Sequence, residues 1–135
     1  MMKKITKKAT TILIVSCAAL VLAVPAFAST GTSSNVSISA TGPTGGVKIV
    51  NVSGSVQGTG GSLTSSQKIE GNMSVYVGGV LKTTVQLRNG IDNPGLLNST
   101  FSASVGQTVQ ANLTGWILEN FSAVYYTSDS DSLAL

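Results

Sequence analysis

Histidine is absent from this chain, and its single cysteine, Cys17, lies inside an N-terminal stretch that reads as a removable leader. Those two gaps exclude serine–histidine and cysteine–histidine nucleophilic catalysis, and the usual zinc sites, from everything downstream. No disulfide can form after Cys17, so stability must come from packing and strand ladders. Charge is also scarce, with eight basic and five acidic residues among 135. Lys3, Lys4, Lys7 and Lys8 account for half of the bases; beyond residue 28, Lys48, Lys68, Lys82 and Arg88 face Glu70, Asp92, Glu119, Asp129 and Asp131. The basic whole-chain pI therefore belongs to the leader. The remainder has no Lys/Arg stripe for a nucleic acid and no basic amphipathic helix for a membrane surface. No glycine-rich loop leads into a helix, and no cofactor is implied.

The leader itself is the most specific signal. Lysines at residues 3–8 are followed by an apolar run over residues 12–24 and then Pro25-Ala26-Phe27-Ala28, an Ala-x-Ala exit. A charged start, a greasy middle and a small-residue end make a helical secretory signal peptide over residues 1–28, of bacterial type. Ile14-Val15-Ser16-Cys17 also outlines a lipoprotein box, but cleavage there would leave residues 18–28 as a greasy stub. The apolar run falls short of the roughly 20 residues that a membrane span needs. The expected product is secreted, free or retained at the cell surface, with no stable membrane insertion. The lack of disulfides in an oxidising destination leans toward a Gram-positive source.

What remains is rich in glycine, serine and threonine and alternates with period two, the pattern of strands with one dry and one wet face. The first such strand covers residues 36–40, after a polar lead at residues 29–34. Residues 47–57 form a second, with Gly54 inside it. Residues 69–77 and 80–88 form a hairpin. A two-residue Gly78-Gly79 loop would set the apolar parity of one strand against the polar parity of the other. A three-residue loop over residues 77–79 restores the match and pairs Val75 with Leu81. Asn-Gly and Pro-Gly mark residues 89–99 as a long connection. A second hairpin joins residues 101–105 to 109–113 and pairs Phe101 with Leu113. The last strand covers residues 121–127, and residues 128–135 are an acidic, serine-rich tail. Turn signals recurring every ten residues or so predict an all-β fold: an antiparallel β-sandwich of about seven strands, immunoglobulin/fibronectin-like. Its parts are a lead with a short strand (29–46), a core (47–127) and the tail (128–135).

Few residues suggest chemistry. Glu70 and Glu119 are the carboxylates that could form a glycosidase pair, although two solvated glutamates fit the pattern better. Asp129 and Asp131 could offer oxygens to calcium, but the run lacks the glycine and terminal glutamate of a binding loop, so no metal site is assigned. Lys48, Asn120 and Glu70 are the members an internal isopeptide crosslink would need. Asn35, Asn51, Asn72, Asn98, Asn112 and Asn120 each open an Asn-x-Ser/Thr triplet. An alternating serine- and threonine-rich strand produces such triplets on its wet face by construction, and a bacterial source speaks against glycosylation. Tyr76, Trp116 and Tyr126 fall on the polar parity of their strands, Tyr126 on condition that Phe121, Ala123 and Tyr125 point inward. Exposed aromatics on a sheet can stack on sugar rings or anchor a partner; the competing role is covering the end and edge of the core.

The sequence thus leads to a secreted, non-catalytic binding or structural module, its partner a glycan, the cell wall or a protein surface, with no oligomeric state implied. Two alternatives stand beside it. One is a secreted antagonist, bacteriocin-like or pore-forming, assembling through strand edges. The other is a carbohydrate-active protein that uses its exposed aromatics.

Overall fold

A computed structural model describes residues 28–135; the expected signal peptide, apart from Ala28, and Cys17 lie outside the described residues. Among the described residues, seven antiparallel strands form two sheets: β1 (Gly31–Thr41), β2 (Val47–Thr59), β3 (Gln67–Val77), β4 (Val80–Gly90), β5 (Gly95–Ser104), β6 (Thr108–Glu119) and β7 (Ser122–Ala134). One sheet has the order β1-β2-β5 and the other β4-β3-β6-β7. The chain changes sheet after β2, β4 and β5. Three strands against four with these crossings is the immunoglobulin/fibronectin-like sandwich that the alternation predicts. Among the described residues, no helix is long and apolar enough to cross a membrane.

The inner parities of both sheets supply the core: Val50, Val52 and Val56 from β2, Ile69, Met73 and Val75 from β3, Leu97 and Ala103 from β5, and Val109, Ala111, Leu113 and Ile117 from β6. Two glycines shape it. Gly71 and Gly115 face each other in register on β3 and β6, and neither puts a side chain into the core. Val56 of the opposite sheet fills the notch, so a Cβ built on Gly115 would stand 2.7 Å from Val56 Cγ1. Real Cβ atoms do not approach that closely, so the two sheets meet here because these positions are bare.

Several local expectations change. The β3–β4 loop has two residues, Gly78 and Gly79, both left-handed at φ 58° and 79°. Those angles fit the turn type that suits a two-residue hairpin. Val77 pairs with Val80 and Tyr76 with Leu81, and then Val75 pairs with Thr83. Lys82 is thus bulged out, and this extra residue restores the parity that a longer loop was expected to restore. The second expected hairpin does not exist. β5 pairs with β2, and β6 pairs with β3 and β7. Phe101 and Leu113 therefore belong to opposite sheets. Alternation dictates which way a side chain faces, and the same inward parity serves strands paired side by side or stacked face to face.

The ends of the domain are more ordered than expected. β1 begins at Gly31, inside the expected lead, and β5 begins at Gly95, inside the expected connection. β7 continues through the expected tail to Ala134. In place of a solvated acidic tail, Asp129 Oδ2 accepts the Val36 N–H at 2.9 Å and Asp131 Oδ2 accepts the Ile38 N–H at 2.8 Å. Ser34 Oγ lies 2.8 Å from Thr127 Oγ1. All three pairs are separated by 93 residues, so β1 and β7 run parallel, clasped by side chains where a ladder would otherwise form.

Two stability predictions follow from this packing. Gly115→Ala forces Val56 out of its notch and should lower the unfolding free energy by about 2–3 kcal/mol, read from denaturant midpoints. Asp129→Ala with Asp131→Ala strips two N–H groups of their acceptors, each worth about 1–2 kcal/mol; amide exchange at Val36 and Ile38 should accelerate before that of the β3 core.

Candidate functional site on the four-stranded sheet

The outer face of β4-β3-β6-β7 is built in rows, because the four registers align one residue from each strand. Gln86, Asn72, Thr114 and Ser128 make one row, and Thr84, Ser74, Asn112 and Ser130 the next. Both rows are neutral, composed of amides and hydroxyls. The row beyond Asn72 differs: Glu70 of β3 pairs with Trp116 of β6, which pairs with Tyr126 of β7. Arg88 of β4 reaches into it from the far side.

The contacts within this row are specific. Trp116 Nε1–H donates to Glu70 Oε2 at 3.1 Å, and Arg88 Nη1 lies 3.5 Å from the same oxygen. Arg88 Nη2 donates to Asn72 Oδ1 at 3.1 Å. The guanidinium carbon stands 5.6 Å from the Trp116 ring centroid, within cation–π range. On the other side the Tyr126 ring stacks with Trp116, centroids 5.9 Å apart and planes inclined by 29°. Trp116 is therefore held between Arg88, Glu70 and Tyr126 and is partly buried, while Tyr126 is 73% exposed. The indole serves as support, and the phenol ring is the free surface.

Of the three aromatics expected on this face, the fold brings Trp116 and Tyr126 together and leaves Tyr76 apart. Tyr76 pairs with Gln110, six residues from Glu70 along β3, about 20 Å at the usual rise per residue. The condition attached to Tyr126 holds for one of its three residues, although Tyr126 is exposed all the same. Tyr125 packs on the core, but Ala123 is exposed opposite Leu118, and Phe121 does not point inward. It occupies the β6–β7 turn with Asn120, at φ 67° and 48°, and is 89% exposed. A register shift between Ile117 and Leu118 leaves Val124 as an extra residue in β7, so strict alternation stops at Tyr125. Arg88 and Glu70 lie 18 residues apart, and only the β3–β4 register joins them, so the sequence pattern alone does not point to their part in this row.

The remaining candidates separate. Glu70 lies on the outer parity of β3, whereas Glu119 pairs with Gln67 on the inner parity of β6, so the two carboxylates do not flank a common site. Lys48 belongs to β2, in the other sheet, and Asn120 to the β6–β7 turn; with Glu70 on an outer face, no isopeptide triad assembles. Among the described residues, no cluster of three metal-ligating side chains occurs.

No family model matches the sequence, and no curated protein matches it. Among solved structures, Bacteroides uniformis β-glucuronidase aligns at 12% identity and TM-score 0.49, over 77% of this chain and 14% of the enzyme. A CARDB domain of a Pyrococcus furiosus protein, in complex with di-metal ions, aligns at 13% identity and TM-score 0.35, over 76% of this chain and 94% of that one. The chain thus spans a small fraction of the glucuronidase. Likenesses this remote leave function to be argued from the surface described above.

The geometry separates the two rings experimentally. Trp116→Ala removes the partner of three side chains and should cost about 1–2 kcal/mol of stability, whereas Tyr126→Ala should stay within about 0.5 kcal/mol of the parent. Thermal unfolding of the two variants side by side reads the difference.

Proposed function

We propose that this protein is a secreted, non-catalytic binding module, and that it contacts a neutral glycan of the cell wall or extracellular matrix through the outer face of β4-β3-β6-β7. The observation that carries this reading is Tyr126, a largely exposed ring stacked on a braced tryptophan and bordered by rows of amides and hydroxyls. A sugar ring offers an apolar C–H face and a rim of hydroxyls. The first matches the Tyr126 surface, and the second matches Asn72, Thr114 and Ser128 one row away. The charges of the aromatic row, Arg88 and Glu70, satisfy one another. That favours an uncharged ligand over an acidic or basic one.

A non-catalytic role fits the carboxylates, since Glu70 is engaged by Trp116 and Arg88 and lies on the opposite face from Glu119. Export rests on the signal peptide. Strand-edge assembly into a pore is less favoured, because Asp129 and Asp131 occupy the seam through which β1 or β7 would recruit a further strand.

The test is co-sedimentation with insoluble polysaccharides, peptidoglycan and chitin first, at graded protein concentration. Tyr126→Ala should weaken binding tenfold or more at unchanged melting temperature, and Tyr76→Ala should leave it unchanged. Equal retention of parent and Tyr126→Ala protein would remove Tyr126 as the contact, and failure of the parent to sediment with any of them would remove the glycan.

A further inference from the structure

The residue that follows the expected cleavage point is among the most enclosed polar residues of the domain. Ser29 is 1% exposed, and so is Gln67, the first residue of β3. The Gln67 side chain treats Ser29 as a neighbouring strand would. Its Oε1 accepts the Ser29 N–H at 3.1 Å and its Nε2 donates to Ser29 O at 3.1 Å. Oε1 also accepts the Thr64 N–H at 3.3 Å, fixing the amide from a second direction. The Ser29 hydroxyl lies 2.8 Å from Gly31 O and 3.1 Å from Thr59 O, and Thr30 N–H donates to Thr59 O at 2.9 Å. The β2 end is cut away to admit this segment: a Cβ on Gly58 would stand 2.6 Å from Ser29 Oγ, and one on Gly60 would collide with Thr30 Oγ1. On the other side of the scissile bond, Ala28 bridges to Ser62.

A peptidase must take several residues on both sides of its bond in extended form, with their backbone groups free to pair with the enzyme. Here the backbone groups on the Ser29 side are already committed to Gln67 and Thr59. We infer that the Ala28–Ser29 bond is a processing site open only while the chain is unfolded, and that the new N-terminus then closes into the Gln67–Thr59 notch. This inference rests on the export reading given above. In the reaction, water adds across the peptide bond: its hydroxyl goes to the Ala28 carbonyl carbon, the C–N bond breaks, and the nitrogen leaves as the α-amino group of Ser29. That group takes a further proton at neutral pH. Gln67 Oε1 is an acceptor in both states, so its bond to the Ser29 nitrogen survives the cut and becomes charge-assisted.

The experiment uses the full-length precursor in detergent micelles with a purified bacterial signal peptidase. Precursor diluted from urea directly into enzyme should be cut at Ala28 at least tenfold faster than precursor refolded beforehand. Refolded Gln67→Ala precursor should regain most of the lost rate. If that variant fails to fold, exchange of the Ser29 amide in refolded parent precursor supplies the second reading, and it should be protected as strongly as the amides of β3. Equal cleavage of refolded and urea-diluted parent, or an unprotected Ser29 amide, would overturn the inference. The export reading fails separately, if N-terminal sequencing of protein secreted by a bacterial host does not begin at Ser29.

Discussion

The seating of Val56 between Gly71 and Gly115 is the contact on which the rest of the sandwich depends. Two facing sheets normally stand about 10 Å apart, with side chains from both filling the space. Where two paired residues have no side chain, the opposing sheet must come closer or leave a void. Here a single valine occupies the space, and Gly54 gives Met73 and Leu113 the matching room from the other side. The registers place Glu70 and Trp116 one residue from this glycine pair, on the opposite face. The aromatic row therefore stands on backbone that Val56 holds from behind. The aromatic row thus takes its rigidity from the core behind it.

The open edges of the two sheets are handled differently on the two sides. Between β1 and β7, inward-pointing aspartates take the unpaired N–H groups of β1, so backbone donors are satisfied and no further strand is invited. Between β4 and β5, the bulged Lys82 stands on the edge with its ammonium 6.0 Å from the Phe101 ring of the other sheet. Both devices place a charge where an intruding strand would need a flat ladder. Away from these seams and the aromatic row, the middle of each outer face is mostly hydroxyls and amides, while Val47, Ile49 and Leu96 stand exposed toward the ends of the three-stranded sheet. On the outer face of the three-stranded sheet, Thr100 Oγ1 donates to Asn51 Oδ1 at 2.9 Å in such a row.

Much of this architecture is legible in the sequence because a period of two reports which side chains face inward. Val50, Val52 and Val56, or Ile69, Met73 and Val75, can be assigned to a core without knowing their neighbours. Neighbour identity is what the pattern lacks. Phe101 and Leu113 alternate as hairpin partners would, yet they meet across the core. Leu96-Leu97 breaks the alternation at the start of β5 and hides that strand beside Pro94. Asp129 and Asp131 look like solvated charges because the donors that they accept from, the β1 N–H groups, lie 93 residues away. Trp116 and Tyr126 can be placed on one face by parity, but the bracing by Arg88 and Glu70 emerges only once three registers are known.

The parallel course of β1 and β7 also sets how the domain answers to load. Gly31 lies beside the Thr59 end of β2, whereas Leu135 is tied by backbone hydrogen bonds to Gly106 and Gln107 near the opposite pole. Tension applied between the two extremities would therefore pull β1 and β7 past each other along their length. The serine–threonine and aspartate clasps would then be strained together and not opened one at a time. A fold fastened this way resists stretching along β1 and β7 as a lap joint does, with every clasp sharing the load.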